Sequence, residues 1–573
     1  MNCYEKQIKL SLATYGGGYM LQIRNLNITH LKDDRVLLQN LSFTLNLGDK
    51  AAIIGEEGNG KSTLLKLIYN ENLVEEYVDY TGEIITNHAR IGYLPQELSA
   101  EEKQLSAYEF MCADNSSRTD LKYASLFLET DVAELSQISR QLKFPLEMFY
   151  SEQLLGQMSG GEKIKVQLAR ILVNKPDVLL LDEPSNDLDM DTVYWLENFI
   201  KESSLPILYI SHDEVLLEHT ANKIIHLEQI KRKTEARSTV IKSNYKDYIS
   251  RRSSSLAHQE QVARKERSEY QKQQEKFRQI QQKVEHQQNV ISRQDPFGGA
   301  NLKRSMHRVK AYEARFEKQF ENMTEIPETE DAIFIKFGED AVIPAGKIVL
   351  DCHWDALYIE DSDKDIKKKC GDMKHMKAQD DEVARRDDMQ VKGRCLVTNI
   401  SLSIRGPEHI CIIGKNGCGK TTLLRKIAEE LLNRTDIKAS YMPQNYEELL
   451  DMTQTPVEFL CTTGDKDEIS KIRTYLGSMK YTADEMSHSI ADLSGGQKAK
   501  ILLLKMSMAG SNVLILDEPT RNFSPLSNPV IRQMLKSFKG TIISVSHDRK
   551  YIEEVADKVY ELTAEGLHEA IVS

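Results

Sequence analysis

Four short strings occur twice in this 573-residue chain, in the same order. The first set reads GEEGNGKS (Gly55 to Ser62), MSGGE (Met158 to Glu162), VLLLDEP (Val178 to Pro184) and SHD (Ser211 to Asp213). The second reads GKNGCGKT (Gly414 to Thr421), LSGGQ (Leu493 to Gln497), VLILDEP (Val513 to Pro519) and SHD (Ser546 to Asp548). The step from Ser159 to Glu183 equals that from Ser494 to Glu518, and the step from Glu183 to His212 equals that from Glu518 to His547. Eight strings in matched order are an internal repeat, so the chain is expected to fold as two copies of one unit.

Each glycine-rich string follows a β-branched apolar run (Ala51 to Ile54; Ile410 to Ile413) and precedes a helix-forming run (LLKLI; LLRKI). That strand–loop–helix setting is what a phosphate-binding loop needs. Gly55, Gly58, Asn59 and Gly60, with Gly414, Asn416, Gly417 and Gly419, let successive backbone N–H groups converge on phosphates at a helix N-terminus. Lys61 and Lys420 add point charge, Ser62 and Thr421 offer a hydroxyl to Mg²⁺, and Thr63 and Thr422 complete the ATP-binding set. Asp182 and Asp517 end buried-strand patterns and suit Mg²⁺, while Glu183 and Glu518 follow at once and suit the orientation or deprotonation of an attacking water.

The set resembles the nucleotide-binding domains of the ATP-binding cassette superfamily, and the resemblance spans most of the chain. It implies two α/β cassettes in tandem. It also implies that Gln96 and Gln444 sense water and metal, that His212 and His547 bond the γ-phosphate, and that ATP is sandwiched between opposite cassettes. One nucleotide would meet Gly55 to Ser62 and the second signature (Ser494, Gly495, Gly496, Gln497); the other would meet Gly414 to Thr421 and the first (Ser159, Gly160, Gly161, Glu162). Serine and two side-chain-free residues at a helix start can approach a γ-phosphate closely. Met158 stands where leucine is usual, a volume-conserving change.

The copies diverge after the acidic pair, SNDLD (Ser185 to Asp189) against TRNFSPLSNP (Thr520 to Pro529), with Ser524 and Pro525 in place of an acidic turn. Two readings stand: unequal ATP sites, or drift in a surface loop. For adenine stacking, His30 and Tyr358 are the aromatic candidates.

No run of 18 uncharged apolar residues exists, so no span that would make the chain a transporter by itself is expected. Eight cysteines form no CxxC pair and no metal-like spacing, which suits reduced thiols in a cytoplasmic protein. Residues 1–19 have neither a basic start nor an apolar core. They read either as upstream sequence, with the native start at Met20, or as a short tail.

Residues 251–318 hold 16 Lys/Arg against 8 Asp/Glu in a chain of net charge −12. Apolar or small residues recur at Leu256, Ala263, Tyr270, Phe277, Val284 and Ile291, a seven-residue step. After QDPFGGAN a second series runs Leu302, Val309, Phe316, Met323. Two such series flanking a Pro/Gly turn predict an antiparallel helical hairpin. Arg293, Lys303, Arg304, His307 and Arg308 crowd the turn, and Phe297 has no seam position to fill; this combination suits RNA, with phosphate contacts and a stacking ring.

Two cassettes, no membrane domain and a basic hairpin between them resemble the ABC-F family. The TRNFSPLSNPVIR stretch (Thr520 to Arg532) is similar to its antibiotic-resistance subgroup, as are the short intervals from Gln96 to Ser159 and from Gln444 to Ser494. The resemblance implies a cytoplasmic ATPase, monomeric with an intramolecular cassette dimer. It would bind the exit-tRNA site of the 70S ribosome (23S rRNA, peptidyl-tRNA), protect it from drugs of the peptidyl-transferase centre or exit tunnel, and leave after hydrolysis. The alternatives are a housekeeping ABC-F factor for stalled ribosomes and the ATPase subunit of a transporter. The expected organisation is a tail at 1–19, a first cassette at 20–244, the hairpin at 245–330 and a second cassette at 331–573, with a charged insertion at 360–391.

Overall fold

The computed structural model describes residues 20–113, 130–230, 233–290, 307, 311–312, 315, 323–324, 337, 342–360 and 393–570. The tail at 1–19, residues 361–391 of the expected insertion at 360–391, and Arg293, Phe297, Lys303, Arg304 and Arg308 lie outside them. The described residues of Met1–Tyr245 and Glu330–Ser573 form one compact unit, and those of Lys246–Thr329 form another.

The first cassette begins with β1 (Leu21–His30), β2 (Arg35–Leu45) and β3 (Lys50–Ile54), followed by α1 (Lys61–Tyr69), β4 (Val78–Ile85) and β5 (Ile91–Leu94). Two helices, α2 (Ala107–Cys112) and α3 (Val132–Leu142), precede the signature helix α4 (Gly160–Val173). The order then runs β6 (Val178–Asp182), α5 (Met190–Glu202), β7 (Ile207–Ile210), α6 (Glu214–Thr220), β8 (Lys223–Ile230) and β9 (Glu235–Ile241). β3, β6 and β7 are buried along their whole length, as their unbroken apolar runs require of central strands in a parallel sheet. The six-stranded sheet has the order β5-β6-β7-β3-β8-β9, parallel throughout except for β8 with β9. A second, antiparallel sheet has the order β2-β1-β4.

After the helix α7 (Tyr245–Val290), the second cassette repeats the plan. Its elements are β10 (Ile348–Glu360), β11 (Gly393–Arg405), β12 (His409–Ile413), α8 (Lys420–Leu432), β13 (Ala439–Met442), α9 (Pro456–Leu460), α10 (Lys466–Ser478) and the signature helix α11 (Gly495–Met508). They continue with β14 (Val513–Asp517), α12 (Asn528–Lys536), β15 (Thr541–Val545), α13 (Arg549–Val555), β16 (Lys558–Thr563) and β17 (Gly566–Ala570). The large sheet has the order β13-β14-β15-β12-β16-β17, strand for strand the order of the first.

Burial of the two sheets is what holds these layers. Ile53, Leu180 and Leu208 are fully buried in one cluster with Leu64 and Leu65 of α1, and Ile412, Ile515, Leu423 and Leu424 repeat the arrangement in the second cassette. Truncating any one of these to alanine would cost about 2–5 kcal/mol.

The loop Thr520 to Pro529 is not a surface segment. Phe523, Ser524, Ser527 and Asn528 are all buried. The Ser524 hydroxyl accepts the Ser527 N–H at 3.2 Å, and the Pro525 carbonyl accepts the Tyr245 hydroxyl at 3.2 Å. The surface-loop description therefore does not fit this stretch, which is buried and held by hydrogen bonds within itself and to Tyr245.

In the smaller unit, α7 is 46 residues long, about 69 Å at 1.5 Å per residue. Ala263 of the expected seam is fully buried. The Phe277 ring lies 6.5 Å from that of Tyr312, and further down the helix Glu266 accepts the Thr324 N–H at 2.7 Å. Pairs that advance in one segment as they retreat in the other are those of antiparallel arms. Tyr312 had no place in the seven-residue series and shares this contact. His307 is helical and exposed.

Candidate active sites

In each cassette the phosphate loop, the glutamine, the acidic pair and SHD lie at the carboxyl edge of adjacent parallel strands, where open α/β sheets place their ligand sites, whereas the signature opens a helix (α4; α11). The phosphate loop leaves β3, Gln96 follows β5, the acidic pair closes β6, and SHD follows β7. Asp182 is paired in register with Ile210, which brings Glu183 and His212 side by side. Glu183 and Glu518 both have left-handed backbone (φ 48° and 52°), strain of the kind that persists where surrounding structure enforces it.

In the first cassette the Lys61 ammonium donates to the carbonyls of Gly55 (2.9 Å) and Glu56 (3.0 Å). The Ser62 hydroxyl donates to Asp182 at 2.9 Å, and Tyr93 donates to its other oxygen at 3.3 Å. Burial, with Glu183 adjacent, pushes Asp182 up to about 6 against these two bonds. Glu183 accepts from Gln96 (2.9 Å) and Asn186 (2.5 Å), and faces His212 Nε2 at 3.2 Å. Burial alone would raise this carboxyl, but His212, Lys61 and Asn186 outweigh it and hold Glu183 at about 2.

The second cassette repeats the lysine geometry: Lys420 donates to Gly414 (2.8 Å) and Lys415 (2.9 Å). Its acidic pair behaves differently. Thr421 bonds Asp517, whose buried Oδ2 has no hydrogen-bond partner among the described residues. Glu518 accepts the His547 N–H at 3.3 Å, but the His547 ring Nε2 stands 3.7 Å away. Burial and the neighbouring Asp517 push Glu518 up to about 8, and burial with Lys420 nearby pushes His547 down to about 4.

The cassettes meet through these motifs. A cavity of about 730 Å³ joins Ser159, Gly160 and Glu162 of the first signature to Lys420, Thr421 and Glu518; Gln444 and His547 line it too. Asn416 donates to the Asp187 carbonyl at 2.5 Å, and Arg521 pairs with the Asp187 carboxylate at 2.9 Å. On the other side Glu57 of the first loop accepts the Gly496 N–H of the second signature at 2.6 Å. Both signature serines cap their own helices, each accepting a backbone N–H (Glu162, Gln497) at 3.3 Å.

The ABC transporter family profile matches residues 38–186 and 397–521, which take in both phosphate loops, both signatures and both acidic pairs. The chain is a tandem ATP-binding-cassette ATPase. ABC transporter F family member 5 of Arabidopsis thaliana is 25% identical to it over 569 residues, covering 92% of this chain and 72% of the relative. ATP-binding protein Uup of Buchnera aphidicola is 26% identical, covering 93% and 79%. Similarity along nearly the whole length supports membership of the ABC-F family. Among solved structures, the archaeal ribosome recycling factor in complex with a ribosomal stalk protein has the same fold, with a TM-score of 0.53 at 15% identity over 95% of this chain and 90% of that one.

Several residues of the ATPase sites went unmarked in the sequence. The Phe523 carbonyl takes His212 Nδ1 at 2.7 Å, a backbone contact with no sequence signal. Arg532 of α12 forms a bidentate pair with Glu214 of the opposite cassette at 2.6 and 3.3 Å. Glu57 is visible in sequence as one of two acidic departures of the first loop from the second, Glu56 against Lys415 and Glu57 against Asn416. For adenine, His30 is tied to Asp33 at 2.7 Å, whereas Arg35 reaches the Gly58 carbonyl of the loop at 3.3 Å.

Proposed function

We propose that this ATPase is an ABC-F factor that enters the exit-tRNA site of the 70S ribosome with two ATPs bound and leaves after hydrolysis. While bound it shifts the peptidyl-tRNA and displaces an antibiotic from the peptidyl-transferase centre or exit tunnel. The observation that carries the reading is the 46-residue helix between the cassettes, in a segment of excess positive charge. A basic surface suits ribosomal phosphates, and a transporter subunit needs no such element. No described helix is long and apolar enough to cross a membrane. The resemblance in fold to a ribosome-bound archaeal factor (TM-score 0.51 at 16% identity) supports the same direction.

In the proposed mechanism Lys61 and Lys420 turn from their loop carbonyls to the phosphates. Mg²⁺ fits Ser62 with Asp182 and Thr421 with Asp517, with Gln96 and Gln444 beside them, since these are hard oxygen donors and Asp517 Oδ2 is buried without a partner. Bound there, it would neutralise charge on the terminal phosphates. Glu183 and Glu518 orient the attacking water; Glu183 can accept its proton as it stands, whereas Glu518, pushed up to about 8, can do so only after losing its own. Glu183 is ionised but held by Gln96, Asn186 and His212, so His212 and Gln96 must turn toward the nucleotide before its oxygens are free.

The test is growth inhibition by a panel of ribosome-targeting antibiotics, with and without expression of the chain. Protection against one class at equal growth in drug-free medium is the expected outcome. No protection against any class, together with relief of ribosome stalling, would select the housekeeping reading instead.

A further inference from the structure

The third residue of the two phosphate loops differs, Glu57 against Asn416, and the two side chains have opposite bonding roles. Asn416 donates its amide to the Asp187 carbonyl, so the first signature is left facing the large cavity. Glu57 instead turns its carboxylate onto the second signature, accepting the Gly496 N–H at 2.6 Å. Gly496 is the second residue of α11, and its N–H is one of those a helix leaves without an internal partner. It is also the donor class that a signature offers to a γ-phosphate, at the positive end of a helix.

The surroundings are built for a negative group. Lys480 approaches Glu56 at 3.6 Å, and Lys233 pairs with Glu485 at 2.6 Å. Lys500, 8% exposed, lines the same cleft of about 30 Å³ beside Glu57 and Ser494. These lysines come from both cassettes, so the cleft is a cross-cassette ionic seam with the Glu57 carboxylate at its phosphate end.

We propose that Glu57 is an internal stand-in for the γ-phosphate at the Lys61 site. Its carboxylate satisfies the Gly496 N–H before a nucleotide arrives, keeps the second signature against the first loop, and must be displaced by a triphosphate. A diphosphate leaves it in place. Glu57 thereby sets the preference of this site between ATP and ADP and lets the two cassettes stay joined here through a hydrolytic cycle. The inference rests on the first phosphate loop and the second signature forming one nucleotide site, and it is independent of the ribosomal reading.

The experiment uses the full chain carrying Lys420→Ala, which silences the other loop, titrated with fluorescent ATP and ADP in the presence of Mg²⁺. Glu57→Asn, the residue of the second copy, is expected to raise affinity for ATP roughly tenfold and for ADP by less than about twofold. Glu57→Gln, which keeps the shape and one acceptor oxygen but drops the charge, should fall between. In the reciprocal arm, Asn416→Glu in a Lys61→Ala background should weaken ATP selectively at the other site. Equal shifts for ATP and ADP would reduce the effect to general charge repulsion and overturn the proposal. Unchanged ATP affinity in a Glu57→Gln protein with wild-type thermal unfolding would overturn it as well.

Discussion

The His212 ring of the first cassette donates from Nδ1 to the Phe523 carbonyl of the second at 2.7 Å, while its Nε2 faces the Glu183 carboxylate at 3.2 Å. Both ring nitrogens thus face acceptors. The matching ring in the second cassette has no such anchor: His547 Nδ1 is buried without a hydrogen-bond partner among the described residues. The unusual loop of Thr520 to Pro529 therefore clamps one switch histidine and not the other.

That asymmetry predicts unequal turnover. At the Lys61 site His212 is held by the opposite cassette, and the signature is held by Glu57; at the Lys420 site a cavity of about 730 Å³ is open to nucleotide. Single Glu518→Gln should reduce steady-state ATPase by at least about tenfold, and Glu183→Gln by a smaller factor. Purified single variants assayed for phosphate release check this, and equal losses would refute it.

Replacing Glu183 and Glu518 together by Gln removes both carboxylates proposed to orient water and should leave ATP binding intact. The closed form should persist, so the double variant is expected to co-sediment with 70S ribosomes in ATP while the wild type dissociates. Equal, weak sedimentation of both proteins would count against ribosome binding. Sustained multiple turnover by the double variant would count against the glutamate assignment.

Arg532 joins the cassettes at their centre. It pairs with Glu214 at 2.6 Å and Glu554 at 2.8 Å, and the Arg532 and Glu214 side chains are only 3% and 7% exposed. Removing Arg532 leaves the buried Glu214 carboxylate with Lys550, at 3.1 Å, as its remaining cationic partner, so Arg532→Ala should cost up to about 3 kcal/mol. Arg532→Met combined with Glu214→Gln should recover a large part of that loss. Denaturant unfolding of the three proteins measures it; equal stability of Arg532→Ala and the double variant would show that the pair is not the cause.

Lys50 supplies a pH-dependent term away from the ATP sites. Its ammonium donates to Ser203 (2.8 Å) and Leu205 (2.6 Å), and burial pushes it down to about 8. The unfolded chain then binds more protons than the folded one between pH 8 and the usual lysine value of 10.5. Stability from this group is present above that value and is lost as pH falls through about 8. Relative to Lys50→Met, the wild type should gain on the order of 2 kcal/mol between pH 7.5 and 10.5. A constant difference across that range would exclude the shift.

Substitutions at the expected turn of the hairpin, which lies outside the described residues, separate tethering from function. Phe297→Ala, and Arg293, Lys303 and Arg304 changed together to Gln, should weaken antibiotic protection, the second with a salt-dependent loss of ribosome affinity. Basal ATPase should remain. Full protection by tip variants at equal expression would reduce the hairpin to a spacer.

How far the sequence reached is clearest at the motifs. The phosphate loops, acidic pairs and switch histidines were legible because each depends on local backbone: a strand, a glycine turn and a helix start within a few residues. The matched intervals gave two copies, and both large sheets have the same strand order. Seven-residue spacing located α7. What each loop touches across the cassette interface depended on residues hundreds of positions away. The Phe523 carbonyl against His212, Gly496 against Glu57 and Arg532 against Glu214 join chain positions whose spacing carries no periodic signal. Nor could local sequence separate the two glutamates proposed to be catalytic, both in DEP strings. Their opposite shifts, Glu183 down to about 2 and Glu518 up to about 8, arise from partners and burial that exist only once the two cassettes have packed.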